Sequence, residues 1–430
     1  MSISGSTRQS SIQTLRDSSW NTCLPFWGLA HASQSVGNNV LTFGANFSLE
    51  APFSAIQLIM ANPGAAQTLG AVIAAPSGSR ASIATPEDGN RNTIAWTSVT
   101  FGGSASVTLP AASVIGAATG RPSLTLSDVI PMESLARLDG GVFPLLYTRC
   151  LSPAANTHYD SGVMQGAVFA AYAAATNGRY MDSYLAGGDF VSTPSLQVGL
   201  SDETAAVGYR YAYVAGVRFL STKPCVTIMG AGDSLTAGFV TSSGYNGFGL
   251  YASMALSQPN VFGVSYTANG YPGSSSAAYS ANAKLLLAVS PPQILTVTMD
   301  SPNDYTDVAP GEAATAQCIA TQANTLSLVD YAMSLGIQVV ALTPIPFGAY
   351  DSRAYYGPQR VMIGDVVRAL SARGILVLDA QTIISGFLPT VTNLPVLPAA
   401  YTAIDTAHLN DAGQQLLGIA LASLVQPLLT

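Results

Sequence analysis

The chain has 430 residues, 48% hydrophobic and only 9% charged, with 16 basic against 23 acidic side chains and a net charge of −7. A typical globular chain is about 25% charged, and a chain this acidic and charge-poor lacks the basic surface that nucleic acids and anionic membranes require. Its apolar content excludes a disordered polymer, and no uninterrupted apolar stretch reaches the ~18 residues of a membrane span.

The first sixteen residues, MSISGSTRQSSIQTLR, carry two arginines and no apolar run. That is not the pattern of a Sec leader. Residues 1–19 read as a polar arm. The expectation is a protein cytoplasmic as synthesised, with extracellular or virion-associated use left open.

Residues 20–222 read as a β-rich domain. Apolar residues alternate with polar or small ones in Asn39–Phe47, Asn92–Phe101, Ser104–Leu109, Arg121–Met132 and Arg210–Leu220. Period-two runs bounded by Gly, Pro, Asn and Ser predict half-buried strands in antiparallel sheets. Many such strands predict a β-sandwich or jelly roll. Ala167–Gly188, rich in Ala, Gly and Tyr, reads as a long excursion or a short helix. Trp20, Trp27 and Trp96 all lie in this half, as core or interface packing or as sugar-binding rings. His31 and His158 read as structural or surface residues. Cys23, Cys150, Cys225 and Cys318 have neither metal-ligand nor redox spacing and read as buried thiols.

After residue 222 the texture changes. Cys225–Gly230, Asn260–Tyr266, Ile294–Met299, Ile337–Thr343 and Ile375–Leu378 read as buried strands. Phe248–Leu256, Ala313–Leu335, Pro358–Ala372 and Asp411–Val425 read as helices, the last of them buried rather than membrane-spanning. Such alternation predicts an α/β domain over 223–430, with a mostly parallel sheet and helices on both faces. Its chemistry belongs at the C-terminal ends of the strands.

Four segments stand at or beyond those ends. Gly232-Asp233-Ser234-Leu235 follows the first strand and leaves a serine hydroxyl at the mouth of the sheet, or is an ordinary turn with a capping serine. Asn269-Gly270-Tyr271-Pro272-Gly273-Ser274 follows the second, where glycine lets a backbone N–H approach a substrate. Ser301-Pro302-Asn303-Asp304 follows the third and offers the Asn303 amide as a donor. Asp405-Thr406-Ala407-His408 precedes the last helix. A nucleophilic serine needs an imidazole to take its proton, and the imidazole needs a partner to fix its tautomer. Asp405 can fold back to be that partner. Asp300 and Asp304 are a carboxylate pair, but no histidine or second carboxylate cluster accompanies them as a metal site would need.

In this order the four segments resemble the blocks of the SGNH hydrolase, or GDSL esterase/lipase, superfamily over roughly residues 223–430. The resemblance implies a flavodoxin-like three-layer domain. It implies Ser234 as nucleophile and Asp405 and His408 as its acid and base partners. The oxyanion donors it implies are the backbone N–H groups of Ser234 and Gly273 and the side chain of Asn303. It implies no cofactor and no metal. One departure stands out: Ser301 occupies the position where the family has glycine, while Asp304 reads as a brace for the loop. A β-sandwich ahead of such a domain is similar to the arrangement in several carbohydrate esterases. The expected activity is therefore serine-dependent O-deacetylation of a carbohydrate or polysaccharide, so the partner is an ester substrate such as an acetylated glycan. Two alternatives stay open: a lipase or arylesterase of short acyl esters, and a phage tail or receptor-binding protein that carries the esterase domain. Virion partner chains and a homo-oligomer are equally open. Tyrosines in Gly244–Tyr251 and Gly348–Gly357 either line the pocket or pack in loops.

Overall fold

A computed structural model describes residues 20–23, 34–35, 40–77, 95–115, 119–136, 142–152, 157–158, 181–192, 213–241, 246–258, 261–305, 308–309, 311–346 and 357–429. The N-terminal arm, Trp27, His31 and the aromatic stretch 348–356 lie outside these residues.

Up to residue 221 the described strands form two five-stranded antiparallel sheets and two two-stranded ones. One five-stranded sheet runs Trp20–Cys23, Val214–Ser221, Phe53–Asn62, Ile130–Pro131, with Ser123–Leu126 also paired to Phe53–Asn62. The other runs Met181–Gly187, Leu41–Ser48, Leu145–Ser152, Ala71–Ser77, Thr97–Ser98. The period-two rule explains how they meet. Phe43, Ala45 and Phe47 of one sheet join Ile56, Leu58 and Met60 of the other in a single apolar cluster. Some sequence expectations change in extent here. Among the described residues of the run Asn92–Phe101, Thr97–Ser98 is strand, Ser104–Leu109 shortens to Val107–Leu109, and Arg121–Met132 splits into two short strands. Of Ala167–Gly188, residues 167–180 lie outside the described residues, and Met181–Gly187 is a strand.

The C-terminal half contains a five-stranded parallel sheet, labelled here β1 (Cys225–Asp233), β2 (Gly263–Tyr271), β3 (Ile294–Thr298), β4 (Gln338–Leu342) and β5 (Leu376–Leu378). Their spatial order is 2-1-3-4-5 and every pair is parallel. All nine residues of β1 are buried, as a strand covered on both faces must be. The helices are α1 (Ser234–Ala237), α2 (Phe248–Leu256), α3 (Ser276–Val289), α4 (Glu312–Ser334), α5 (Gly357–Ala369), α6 (Ala380–Ser385) and α7 (Asp411–Leu429). Side chains of α2, α6 and α7 pack in one cluster with Val226 and Ile228 of β1. Those of α3, α4 and α5 pack in another with Met229 and Ala231 of the same strand. The result is three layers. Helix α7 is long and apolar enough to cross a membrane by length and composition, yet Leu417, Leu421 and Val425 are buried in the first of these clusters. Helices α3 and α6 were not expected. The first is opened by Ser275, whose hydroxyl accepts from Ala278 N at 3.3 Å, but its first turns are so rich in Ala and Ser that they carry little apolar period.

The two halves share core. Ile59 and Ala61 alternate with the residues facing the second antiparallel sheet, and they enter the cluster of α3 and β3 together with Ala215. Thr22 adds polar ties. Its N–H donates to Thr227 Oγ1 at 3.0 Å, and its carbonyl accepts from Ser265 Oγ at 2.6 Å and Thr267 Oγ1 at 3.1 Å. Asn282 of α3 donates to the Gly120 carbonyl at 3.0 Å. These ties fall along α3 and on the N-terminal portions of β1 and β2, away from the strand ends where the site lies. The four cysteines are buried.

Beyond β3, a buried ion pair anchors α5. Arg360 Nε lies 2.6 Å from Asp300 Oδ2, and the same guanidinium donates to the Ile345 carbonyl at 2.6 Å. Removing one member of such a pair strands the other charge. Arg360→Met should cost about 3–5 kcal/mol in denaturant unfolding, and a loss below about 1 kcal/mol would show that the pair does not anchor the helix.

Candidate active site

β1 runs directly into α1, so Asp233 ends the strand and Ser234 begins the helix. Asp233 caps that helix, its Oδ1 accepting from Leu235 N at 2.9 Å. So abrupt a turn needs space. A Cβ at Gly232 would lie 1.9 Å from Thr236 Oγ1 and 2.8 Å from Thr236 Cβ. Glycine is required there by packing. Thr236 is itself held by a 2.7 Å hydrogen bond to Thr298 at the end of β3.

His408 arrives from the far end of the chain. Asn410 starts α7, its Oδ1 accepting from Gly413 N at 3.0 Å. Gln414, fully buried in the first turn, reaches across to the turn of Ser234. Its Nε2 donates to the Leu235 carbonyl at 3.0 Å and its Oε1 accepts from Phe248 N at 2.9 Å. This clamp presents His408 Nε2 at 2.8 Å from Ser234 Oγ. On the other side of the ring, His408 Nδ1 lies 2.5 Å from Asp405 Oδ2. The N–H groups of Ala407 and His408 both donate to Asp405 Oδ1 at 3.1 Å. Burial works against ionisation of Asp405, but the His408 amide and ring outweigh it and hold the carboxyl below its usual range. An ionised Asp405 keeps the ring proton on Nδ1, which leaves the Nε2 lone pair facing the serine.

Among the described residues, the non-glycine positions with positive φ are Val240 (+68°) and Thr406 (+62°). Both flank this assembly. Thr406 lies inside the Asp405–His408 turn. Val240 follows Phe239, whose ring meets the His408 ring edge to face with centroids 5.1 Å apart. Such backbone is uncommon for β-branched residues and persists only where surrounding structure imposes it.

The remaining segments end β2 and β3. Gly273 has φ +82°, the left-handed region that glycine enters freely. Asn303 sits in the 3₁₀ turn Pro302–Tyr305. Its Nδ2 donates to the Ser274 carbonyl at 3.0 Å and to Ser301 Oγ at 3.3 Å. The Asn303 amide is therefore held beside the Gly273–Ser274 turn. Asp304 braces this loop, accepting from Ser276 N at 2.9 Å and Thr321 Oγ1 at 2.6 Å. In the order 2-1-3-4-5 the chain leaves β1 to one side for β2 and to the other for β3, and ligands bind at such a switch point. Ser234, Gly273 and Asn303 stand there.

The structure thus joins Ser234, His408 and Asp405 in one hydrogen-bonded chain and seats Asn303 against the loop of Gly273. Gln414 and Phe239 escaped the sequence reading. A glutamine in the otherwise apolar stripe of α7 is a signal for the first; nothing in the sequence marks the second. Trp20 and Trp96 lie in the β half, each under an arginine, Arg218 at 5.1 Å and Arg149 at 4.8 Å from the ring centroids. Among the described residues, no cluster of three or more His, Cys, Asp and Glu could hold a metal ion.

The chain is similar to GDSL hydrolases. Among the solved structures it resembles is a lipase/acylhydrolase from Enterococcus faecalis, 17% identical, covering 47% of this chain and 96% of that one with a TM-score of 0.36. Another is a catalytic mutant of an acetylxylan esterase from Geobacillus stearothermophilus, 19% identical, covering 47% and 94% with a TM-score of 0.36. A third is a member of the lipolytic G-D-S-L family from Veillonella parvula, 17% identical, covering 46% and 98% with a TM-score of 0.34. No family model and no curated protein matches the chain.

Burial pushes the Asp233 carboxyl up to about 7, against the hydrogen bonds from Ser301 and Leu235 and with a further push from Asp300 and Asp304. An unfolded aspartate releases its proton near about 3.9. Between those values the folded chain holds a proton that the unfolded chain lacks, so stability falls as pH rises through the window. Asp233→Asn should flatten that fall. Denaturant midpoints measured from pH 4 to pH 8 should converge with the wild type at the acid end and diverge in the variant's favour above pH 7. Parallel curves would show that Asp233 does not titrate there.

Proposed function

We propose that the chain is a serine carboxylic ester hydrolase of the SGNH type, working through an acyl-serine intermediate. The observation that supports this reading above all others is the continuous hydrogen-bonded chain from Ser234 through His408 to Asp405 at the mouth of a parallel sheet.

The steps follow from that geometry. His408 Nε2 takes the hydroxyl proton as Ser234 Oγ bonds to the ester carbonyl carbon. Asp405 stabilises the imidazolium and keeps the ring oriented. The carbonyl oxygen becomes an oxyanion, stabilised by the N–H groups of Ser234 and Gly273 and by the Asn303 amide. The tetrahedral adduct collapses, the C–O bond to the alcohol breaks, and the departing alkoxide takes the proton from His408. Water then attacks the acyl-serine, giving its proton to His408 and its oxygen to the acid. Ser234 recovers its proton and the cycle closes. Each step uses protein side chains, backbone N–H groups and water.

The substrate class we propose is an O-acetylated carbohydrate. The pairing of this site with an antiparallel β half in one chain supports that choice over a lipid ester.

The test compares wild type, Ser234→Ala and Asn303→Ala on p-nitrophenyl acetate, butyrate and octanoate, and on acetate release from an acetylated polysaccharide. Ser234→Ala should abolish turnover. Asn303→Ala should lower kcat by roughly a hundred- to a thousandfold. Acetate should be preferred and released from the polymer. A preference for octanoate would overturn the carbohydrate substrate, and turnover that survives Ser234→Ala would overturn the mechanism.

A further inference from the structure

Ser301 is where this chain departs from the family it resembles, and the structure shows what the extra hydroxyl touches. Ser301 is fully buried. Its Oγ lies 2.6 Å from Asp233 Oδ2, 2.9 Å from the Ser274 carbonyl and 3.3 Å from Asn303 Nδ2. A serine hydroxyl has one proton and two lone pairs. The shortest of the three contacts, to Asp233 Oδ2, takes the proton. The lone pairs are left to accept from Asn303. The result is a single line of polar groups: Asn303 amide, Ser301 hydroxyl, Asp233 carboxyl, Leu235 N–H. It starts at one oxyanion donor and ends on the residue after the nucleophile. A glycine at 301 would delete the middle link, leaving the Asn303 side-chain amide with the Ser274 carbonyl and Asp233 Oδ2 without that donor.

We propose that Ser301 is a positioning residue for ester hydrolysis, which aligns the Asn303 amide with the oxyanion by tying it to the nucleophile turn. The proposal rests on the esterase reading above. Ser301 does not touch the substrate; it acts through Asn303. Aligned dipoles in a buried site polarise one another, and an oxyanion donor acts at full strength only when it is held in place before the charge forms. Asp304, next in the same 3₁₀ turn, accepts from Ser276 N and Thr321 Oγ1 rather than from the Asn303 amide.

The experiment is a double-mutant cycle on turnover of p-nitrophenyl acetate, with Ser301→Ala, Asn303→Ala and the double variant, each checked for folding by thermal unfolding. Active sites are titrated by fluorophosphonate labelling of Ser234. Ser301→Ala should lower kcat about tenfold, a fraction of what deleting the donor itself costs, and leave KM within about twofold. In the Asn303→Ala background the same change should alter kcat by less than about twofold, because the group it positions is gone. A hydroxyl that merely supports the fold would cost the same factor in both backgrounds. Equal losses in the two backgrounds, or an unchanged kcat in the single variant, would overturn the proposal while leaving the esterase reading intact. A wild type with neither Ser234-dependent turnover nor labelling would overturn both.

Discussion

Ser234 and His408 are 174 residues apart and meet at 2.8 Å. What makes that distance hold is the seam between α7 and the turn after β1. The seam has an apolar part, Leu417, Leu421 and Val425 against Val226, Ile228 and Phe248. It also has a polar lock, Gln414, which satisfies one carbonyl and one N–H that the nucleophile turn and α2 would otherwise leave buried without a partner. The apolar part supplies the free energy and is indifferent to small slips. The glutamine has two directional bonds and sets the register. Because His408 sits just before this helix, the register of the helix sets the position of His408 against Ser234.

The other side of the site is built from polar groups buried together. The charges of Asp300 and Asp304 raise the proton affinity of Asp233, and that of Asp300 raises the proton affinity of Asp304. Arg360 partners Asp300, while Asp304 is met by Ser276 and Thr321 and Asp233 by Leu235 and Ser301. Burying carboxylates is costly unless each is hydrogen-bonded or paired. Here each one joins two segments: strand end to helix, or one loop to the next. The cost in stability is coupled to the alignment of three loops that have no regular structure to hold them. Among the described residues, the two non-glycine positions with left-handed backbone, Val240 and Thr406, fall on the His408 side of the site, consistent with a site over-determined by its surroundings.

The β half contributes to this arrangement from a distance. The strand Phe53–Asn62 is apolar on both faces because it serves two cores, one with the second antiparallel sheet and one with α3 and β3. In the sequence it carries no clean alternation, and it was absent from the predicted strands for that reason. The period-two runs that are legible differ in extent from the strands they mark.

The sequence by itself determined the residues of the candidate site and the alternation of strands and helices after residue 222. A strand entering Gly232-Asp233-Ser234, a DxxH turn before the last helix and buried runs alternating with helices are local patterns, written in consecutive residues, and they were readable without coordinates. Tertiary structure decided what local pattern cannot carry. The bond from Ser234 to His408, the lock by Gln414, the ring of Phe239 on His408 and the path from Asn303 through Ser301 to Asp233 are all contacts between segments distant in the chain. Their existence depends on distances of a few tenths of an ångström, which packing sets. Ser301 shows the division best: in the sequence it is one residue different from a motif, and in the fold it is the hydroxyl that connects two halves of the site.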